Sequence, residues 1–335
     1  MYNILIVRLS SLGDIIHTYP MIYDIKVNFP NCTIDWLVDD SFADLVKLNP
    51  LINKVISVPL RQWKKNRFNL LKHLKNIKQW RKDIICKRYD YIIDSQGLLK
   101  SAILARCFNG SVYGLGRNSI REKIASLLYH HKYEIGKNIL AVTKNRLLAA
   151  AIYNYSINTE IVNFGMNEVF YTTNYDNLNS NLKKLNTTPY VIFFHATSKD
   201  SKKLSAQSWV DLAKYLIEEY KLTIVLPYGS ITEKSESINI KNMLNSQNIL
   251  VPDNKLNFET ISHLISKAEF IFGVDTGLIH LANALNKKVI AIYVDTNPEK
   301  TGIFESNIAK NIGNIDVYPN VNQLIKLYET IIRYT

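Results

Sequence analysis

The stretch Arg8-Leu9-Ser10-Ser11-Leu12-Gly13-Asp14 puts a carboxylate directly after a small-residue turn and just before a helical pattern. Two chemistries fit it. Ser10, Ser11 or Asp14 can cap the helix by accepting its free amides, or Asp14 can take a proton from a hydroxyl that approaches the turn. Taken alone, the loop reads first as a cap. In the second half, Asp275-Thr276-Gly277-Leu278-Ile279-His280 offers a hydroxyl and unhindered amides at a helix start, which is how an anion such as pyrophosphate is held without a metal. His280, taken alone, reads first as a core histidine. Upstream, His195-Ala196-Thr197-Ser198-Lys199-Asp200-Ser201-Lys202-Lys203 sets hydroxyls before closely spaced lysines, a phosphate-binding pattern that a plain surface lysine cluster also produces. Glu233, four residues after Pro227-Tyr228-Gly229, is placed to accept hydrogen bonds from a ribose, a weak signal by itself.

Missing motifs narrow the choice. There is no GxGxxG fingerprint and no GxxxxGK[ST] loop, so dehydrogenase and NTPase readings lose their support. Cys32, Cys86 and Cys107 are odd in number and share no metal-ligand spacing, which suits a reducing compartment. No run approaches 18 apolar residues and the chain opens on a strand-like ILIV, so neither a membrane span nor a signal peptide is expected. The net charge of +12 is unevenly placed: residues 1–150 hold 24 Lys/Arg against 11 Asp/Glu, whereas residues 151–335 hold 17 against 18. Within the basic half, Arg61 to Arg88 carries 11 basic residues and one acid, with Trp63, Phe68 and Trp80 interleaved. Such a segment attracts phosphates, of nucleic acid, lipid head groups or a substrate, or is simply a solvated helix face. The neutral half with its phosphate-type loops argues against nucleic acid as the partner.

The elements that must position these residues follow a repeating pattern of strand, turn and helix. In the first half, β-rich runs fall at 4–9, 33–38, 55–60 and 91–94; after a polar, Asn-rich stretch over 154–188 they resume at 190–196, 222–229, 248–252, 270–275 and 288–294. Helical spacing after each run predicts parallel sheets covered on both faces. The expected fold class is α/β, with two doubly wound domains at 1–165 and 175–315. An amphipathic helix at 319–335 would pack back on the first. In such domains ligands bind at the carboxyl ends of the strands, where the chemical residues collect.

The series RLSSLGDIIHTYP, YDYIIDSQGLLKS, FFHATSKDSKK, LPYGSITE and VDTGLIHLANAL, in this order from residue 3 to about 300, resembles the lipopolysaccharide heptosyltransferases. SSLGDIIH and DSQGLLKS bring it nearest to the heptosyltransferase I branch, which adds the first heptose to Kdo-lipid A. The alternative is the heptosyltransferase II branch, or another GT-B enzyme with a different nucleotide sugar or acceptor. The resemblance implies a GT-B fold, two Rossmann-like domains facing across a cleft, with ADP-L-glycero-β-D-manno-heptose held mostly by the second and the acceptor by the first. It implies inversion at the anomeric carbon, with Asp14 as catalytic base and Lys202 stabilising the departing diphosphate. Thr197 and Ser198 then lie near the phosphates, Glu233 at the ribose, and Asp275, Thr276, Gly277 and His280 around the diphosphate and sugar. Ser10, Ser11 and Gly13 form the turn at the acceptor. Lys100 and Arg121 match basic acceptor-side positions, and Arg61, Lys64 and Lys65 a segment that meets the phosphorylated lipid. No cofactor and no metal are implied, and the absence of an Asp-x-Asp triplet fits a metal-independent mechanism. The implied setting is cytoplasmic, peripheral on the anionic inner face of the inner membrane. Two departures stand out: Leu204-Ser205 replaces an aromatic-Pro pair, and Ser198-Lys199 stands where Thr-Arg is common.

Overall fold

The computed structural model describes every residue except 61–86, 137, 167–179, 198 and 334–335. The chain divides into two units, Met1–Val169 and Phe170–Thr335. The site candidates Arg61, Lys64, Lys65 and Ser198 therefore lie outside the described residues.

In the first unit, β1 (Asn3–Val7), α1 (Leu12–Ile16), α2 (Tyr19–Asn28), β2 (Thr33–Asp39), α3 (Ala43–Lys47) and β3 (Lys54–Val58) precede β4 (Tyr91–Asp94). There follow α4 (Leu99–Ala105), β5 (Val112–Leu115), β6 (His131–Tyr133) and α5 (Ala141–Tyr153). The sheet order is β3-β2-β1-β4-β5-β6, and each neighbouring pair is parallel. Strand β1 is apolar because it is central: Ile4, Leu5, Ile6 and Val7 are all fully buried, as a strand covered on both faces requires. The charge inside β2 is compensated where it lies. Buried Asp35 accepts from Tyr89 Oη at 2.8 Å, Lys87 Nζ at 2.9 Å and Asn53 Nδ2 at 3.1 Å, so no bare carboxylate enters the core. Arg146 of α5 forks onto Asp24 of α2, with Nε to Oδ2 at 2.7 Å and Nη2 to Oδ1 at 3.2 Å, and closes the helical layer.

The second unit repeats the plan with β7 (Tyr190–Phe194), α6 (Ala206–Tyr220), β8 (Thr223–Val225), α7 (Ile231–Leu244), β9 (Ile249–Leu250) and α8 (Phe258–Lys267). It continues through β10 (Phe270–Val274), α9 (Gly277–Ala284), β11 (Val289–Tyr293), the short α10 (Pro298–Thr301), β12 (Ala309–Gly313) and α11 (Val321–Arg333). Its order, β12-β11-β10-β7-β8-β9, is also parallel throughout. An aromatic core of Phe193, Trp209, Phe270 and Phe272 fills it. The terminal helix belongs to this core: Leu324, Tyr328 and Ile331 are buried in it, and the Tyr328 ring lies 4.9 Å from Phe270. The apolar stripe of α11 packs on its own unit's core.

In each sheet the chain reverses direction of travel between its first and fourth strands, β1/β4 and β7/β10. That switch point is where ligands settle in doubly wound folds. The loops and helix starts after these four strands carry most of the sequence candidates, while Glu233 follows β8 and Arg121 follows β5.

Candidate active site

In the first unit the loop after β1 delivers Asp14 to the first turn of α1. Its Oδ2 accepts from the Ser11 amide at 3.1 Å and the Ser11 hydroxyl at 2.9 Å, reaching back to the N-cap as a capping-box acid does. Its other oxygen, Oδ1, sits 2.8 Å from Arg8 Nη2. The cap is therefore real, yet 42% of the Asp14 side chain stays exposed, so an edge remains for a proton donor. Partial burial pushes its pKa up, but the Arg8 guanidinium, the two Ser11 hydrogen bonds and His17 outweigh that and hold it below the ordinary aspartate value.

The loop is anchored to the loop after β4. Gln96 Oε1 accepts from the Leu9 amide at 2.8 Å and its Nε2 donates to the Ser10 carbonyl at 3.2 Å, while Arg8 Nη1 donates to the Ser95 carbonyl. Gln96 is in turn set by the fully buried Asp94. That carboxylate accepts from Tyr129 Oη (2.7 Å), Ser101 Oγ (2.8 Å) and the Gln96 and Gly97 amides (2.9 and 3.2 Å). Burial still raises the Asp94 pKa. Gly97 turns the chain at φ +69°, where a side chain would be strained and would collide with Ile120 at 2.8 Å. Lys100 and Arg121 are both exposed near this turn. The Arg121 segment docks on it through Glu122, whose amide donates to the Gly97 carbonyl at 3.2 Å. Arg8, Asp94, Gln96 and Glu122 escaped the sequence reading of the site. The one available signal was DSQG itself, an acid three residues before a glycine at a strand end.

In the second unit, Lys202 and Asp275 meet: Nζ lies 2.5 Å from Oδ2, with the side chains only 17% and 12% exposed. Thr296 Oγ1 donates to the same oxygen at 2.8 Å, and Thr197 Oγ1 donates to the Asp275 carbonyl at 2.8 Å. Lys202, Thr197 and Asp275 thus form one cluster across the ends of β7 and β10. Thr276 is the N-cap of α9 but spends no side-chain hydrogen bond on capping, and the helix start carries the usual unpaired first-turn amides. His280 lies one turn into α9, 5% exposed, and belongs to the packed side of the helix. Lys203, adjacent to Lys202, is occupied by Glu236 at 2.6 Å and Asp200 at 2.9 Å. Glu233 has a structural use beside its expected one: it accepts from the Gly229 amide at 2.6 Å while Ser230 Oγ accepts from its amide at 3.3 Å, a box closing the start of α7. The Leu204-Ser205 departure also has a local reason, because Ser205 caps α6 by accepting from the Ser208 amide at 3.1 Å. Among the described residues no group of three or more His, Cys, Asp or Glu could hold a metal ion.

Two parallel sheets of the same strand order, one offering a half-open carboxylate at its switch point and the other a cation beside an open helix N-terminus, define the class: a glycosyltransferase of the GT-B type. The chain belongs to glycosyltransferase family 9, the heptosyltransferase family, whose sequence profile matches residues 77–328. It is 32% identical over 306 residues to lipopolysaccharide heptosyltransferase 1 of Escherichia coli O18:K1:H7 (strain RS218 / NMEC), covering 91% of this chain and 90% of that protein. Among solved structures it resembles the E. coli heptosyltransferase WaaC with ADP at a TM-score of 0.85 and 29% identity, over 98% of this chain and 99% of that one. WaaC solved with ADP-2-deoxy-2-fluoro heptose gives 0.83 over the same shares, also at 29% identity.

Proposed function

We propose that the protein transfers L-glycero-D-manno-heptose from ADP-heptose to the Kdo residue of Kdo-lipid A in assembly of the lipopolysaccharide inner core, with inversion. The observation that carries this reading is the Lys202–Asp275 ion pair at the second switch point, directly before Thr276, the N-cap of α9. The likeness to a heptosyltransferase solved with ADP and with a fluorinated ADP-heptose supports the donor assignment.

Inverting transfer needs a base on the acceptor oxygen and positive charge on the departing diphosphate, through an oxocarbenium-like transition state. Asp14 serves as the base. Held ionised by Arg8 and Ser11, it is intrinsically weak, and it suffices because the attacking hydroxyl becomes acidic as its bond to the anomeric carbon forms. Lys202, with the amides at Thr276-Gly277, supplies electrostatic stabilisation to the leaving ADP. Asp275, itself held by the Thr296 hydroxyl, keeps that ammonium in place before the donor arrives. In this reading Glu233 contacts the ribose, Thr197, Ser198 and His280 surround the phosphates and sugar, and Ser10, Ser11, Gly13, Lys100 and Arg121 face the acceptor. Arg61, Lys64 and Lys65 meet the lipid's phosphates, and the protein works peripherally on the cytoplasmic face of the inner membrane. No helix among the described residues is long and apolar enough to cross a membrane.

A thermal-shift series with ADP-heptose, ADP, a UDP-sugar and a GDP-sugar tests the donor. ADP-heptose and ADP raise the melting temperature, because a ligand that binds only the folded state stabilises it by mass action. Stabilisation by the UDP-sugar with none by ADP or ADP-heptose overturns the assignment.

A further inference from the structure

Helix α4 and the turn beside it expose large apolar side chains that neither the core nor the reaction uses. On α4, Leu99 and Ile103 stand four residues apart on one face, 38% and 51% exposed. In the adjoining segment, Ile124 and Leu127 are 64% and 71% exposed, at the three-residue spacing of the 3₁₀ turn Ala125–Leu128. Contacts at both ends hold the two elements side by side. The Leu99 amide donates to Glu122 Oε2 at 2.6 Å, and Arg106 meets His130. The opposite faces, with Ser101, Ala102, Leu104 and Ala105 on one element and Ala125 and Ser126 on the other, are buried. The four exposed apolar residues thus lie on two adjoining elements and make one two-element apolar surface, or ridge.

Charge surrounds the ridge. Lys100, Arg106, Arg121 and Lys123 are all exposed on the same two elements. The one acid within 97–107 and 117–131 is Glu122, already engaged by the Leu99 amide. Clustered exposed apolar residues mark an interaction surface. Apolar tips spaced by lysines and arginines suit an anionic bilayer, in which the tips enter the boundary between head groups and acyl chains while the cations meet lipid phosphates. Lys100 and Arg121 belong to both the ridge and the acceptor side, which places a lipid-anchored acceptor and the lipid surface on one face of the unit.

We propose that the ridge of Leu99, Ile103, Ile124 and Leu127, with its ring of Lys100, Arg106, Arg121 and Lys123, docks the protein on an anionic lipid bilayer. The inference rests on the reading that the acceptor is a membrane lipid, and it assigns the contact to a surface distinct from the basic segment 61–88.

The test uses the full chain with vesicles of phosphatidylethanolamine and phosphatidylglycerol, compared with vesicles of phosphatidylcholine alone. The triple variant Ile103→Ser, Ile124→Ser, Leu127→Ser removes apolar tips and leaves every charge in place, so a loss of binding cannot come from the basic segment. The wild type sediments with the anionic vesicles and not with the neutral ones. The variant binds at least about tenfold more weakly, while its ADP thermal shift and its transfer to a water-soluble, de-acylated acceptor match the wild type. Lys123→Glu weakens binding at low salt and matters less at high salt. Equal sedimentation of variant and wild type overturns the proposal, as does equal binding of the wild type to both vesicle types or to neither. So does a reversible self-association that the variant abolishes with vesicle binding intact, since a second copy would then be the occupant. Absence of heptose transfer in a wild type whose vesicle binding still depends on the ridge overturns the functional reading and sustains the docking surface.

Discussion

Asp14 and Asp275 both follow switch-point strands, Asp14 in the first turn of the helix after β1 and Asp275 directly after β10, and each is joined to one cation, yet they are built to opposite ends. The Asp14 side chain keeps 42% of its surface in solvent, whereas Asp275 keeps 12%. Asp14's cation is Arg8, a planar fork also tied to the Ser95 carbonyl, so it cannot leave to serve a ligand. Asp275's cation is Lys202, a point charge on a flexible stem whose remaining donors can turn toward a diphosphate. An acid–cation pair thus yields an open, ionised carboxylate in one unit and a largely buried, acid-paired ammonium in the other. What differs is which partner is exposed and which is anchored. A carboxylate meant to receive a proton needs a free edge, while one meant to aim a cation needs burial.

The largest effect that can break this comparison is at Asp14. Asp14→Asn keeps the shape and an acceptor for the Ser11 amide but cannot take a proton, so turnover falls by about 10²–10⁴-fold, the usual worth of a positioned base. ADP affinity, measured separately by calorimetry, stays as in the wild type. Near-normal turnover would reduce Asp14 to the cap that its hydrogen bonds to Ser11 already make it. Next in size is Lys202→Ala, which removes positive charge from the leaving group and leaves Asp275 without its cation. The drop in kcat is roughly 10²–10³-fold, on the scale of losing one preorganised electrostatic donor. Unlike Asp14→Asn, it also weakens ADP binding. If both substitutions spared ADP affinity equally, the contrast between a base and a donor-binding cation would fail.

Strands read well from the sequence and their ends did not. The runs at 4–9, 190–196 and 222–229 end as strands at Val7, Phe194 and Val225, because the chain leaves the sheet there while residues such as Leu9, His195 and Leu226 stay buried and prolong the strand-like pattern. Strand β5 and the edge strands β6 and β12 escaped notice, since short and partly exposed segments such as His131–Tyr133 lack the apolar run that marks a buried strand. That Thr197, Lys202 and Asp275 come together was legible, because hydroxyls and charges at strand ends have a local signature. The supports of the Asp14 loop were not. Nothing near Arg8 predicts a hydrogen bond to Ser95, 87 residues away, and Gln96 gives no sign that it holds Leu9 and Ser10. Such partners become neighbours only through the parallel pairing of β1 with β4. Asp35 shows the reverse case, a charge inside the predicted strand run 33–38 that is a buried, three-partner anchor.

The smallest effect probes the Arg8 side of the contrast and is read in pH. Because Arg8 and Ser11 hold the Asp14 carboxyl below its ordinary value, kcat/KM is carried by the ionised base at neutral pH and is lost only as pH falls through that depressed pKa. Arg8→Gln removes the strongest of the stabilising charges while burial, which raises the pKa, stays. The acid limb of the pH–rate profile therefore moves to higher pH. At neutral pH two consequences oppose each other: the carboxylate becomes a stronger base, but it loses the fork that ties it to the Ser95 loop, so turnover changes by no more than about tenfold. Arg8→Lys keeps the charge without the fork, so its acid limb stays near that of the wild type while its turnover at neutral pH follows the Gln variant. An acid limb unmoved in Arg8→Gln would mean that the group titrating in catalysis is not Asp14, and would place the base elsewhere on the acceptor side.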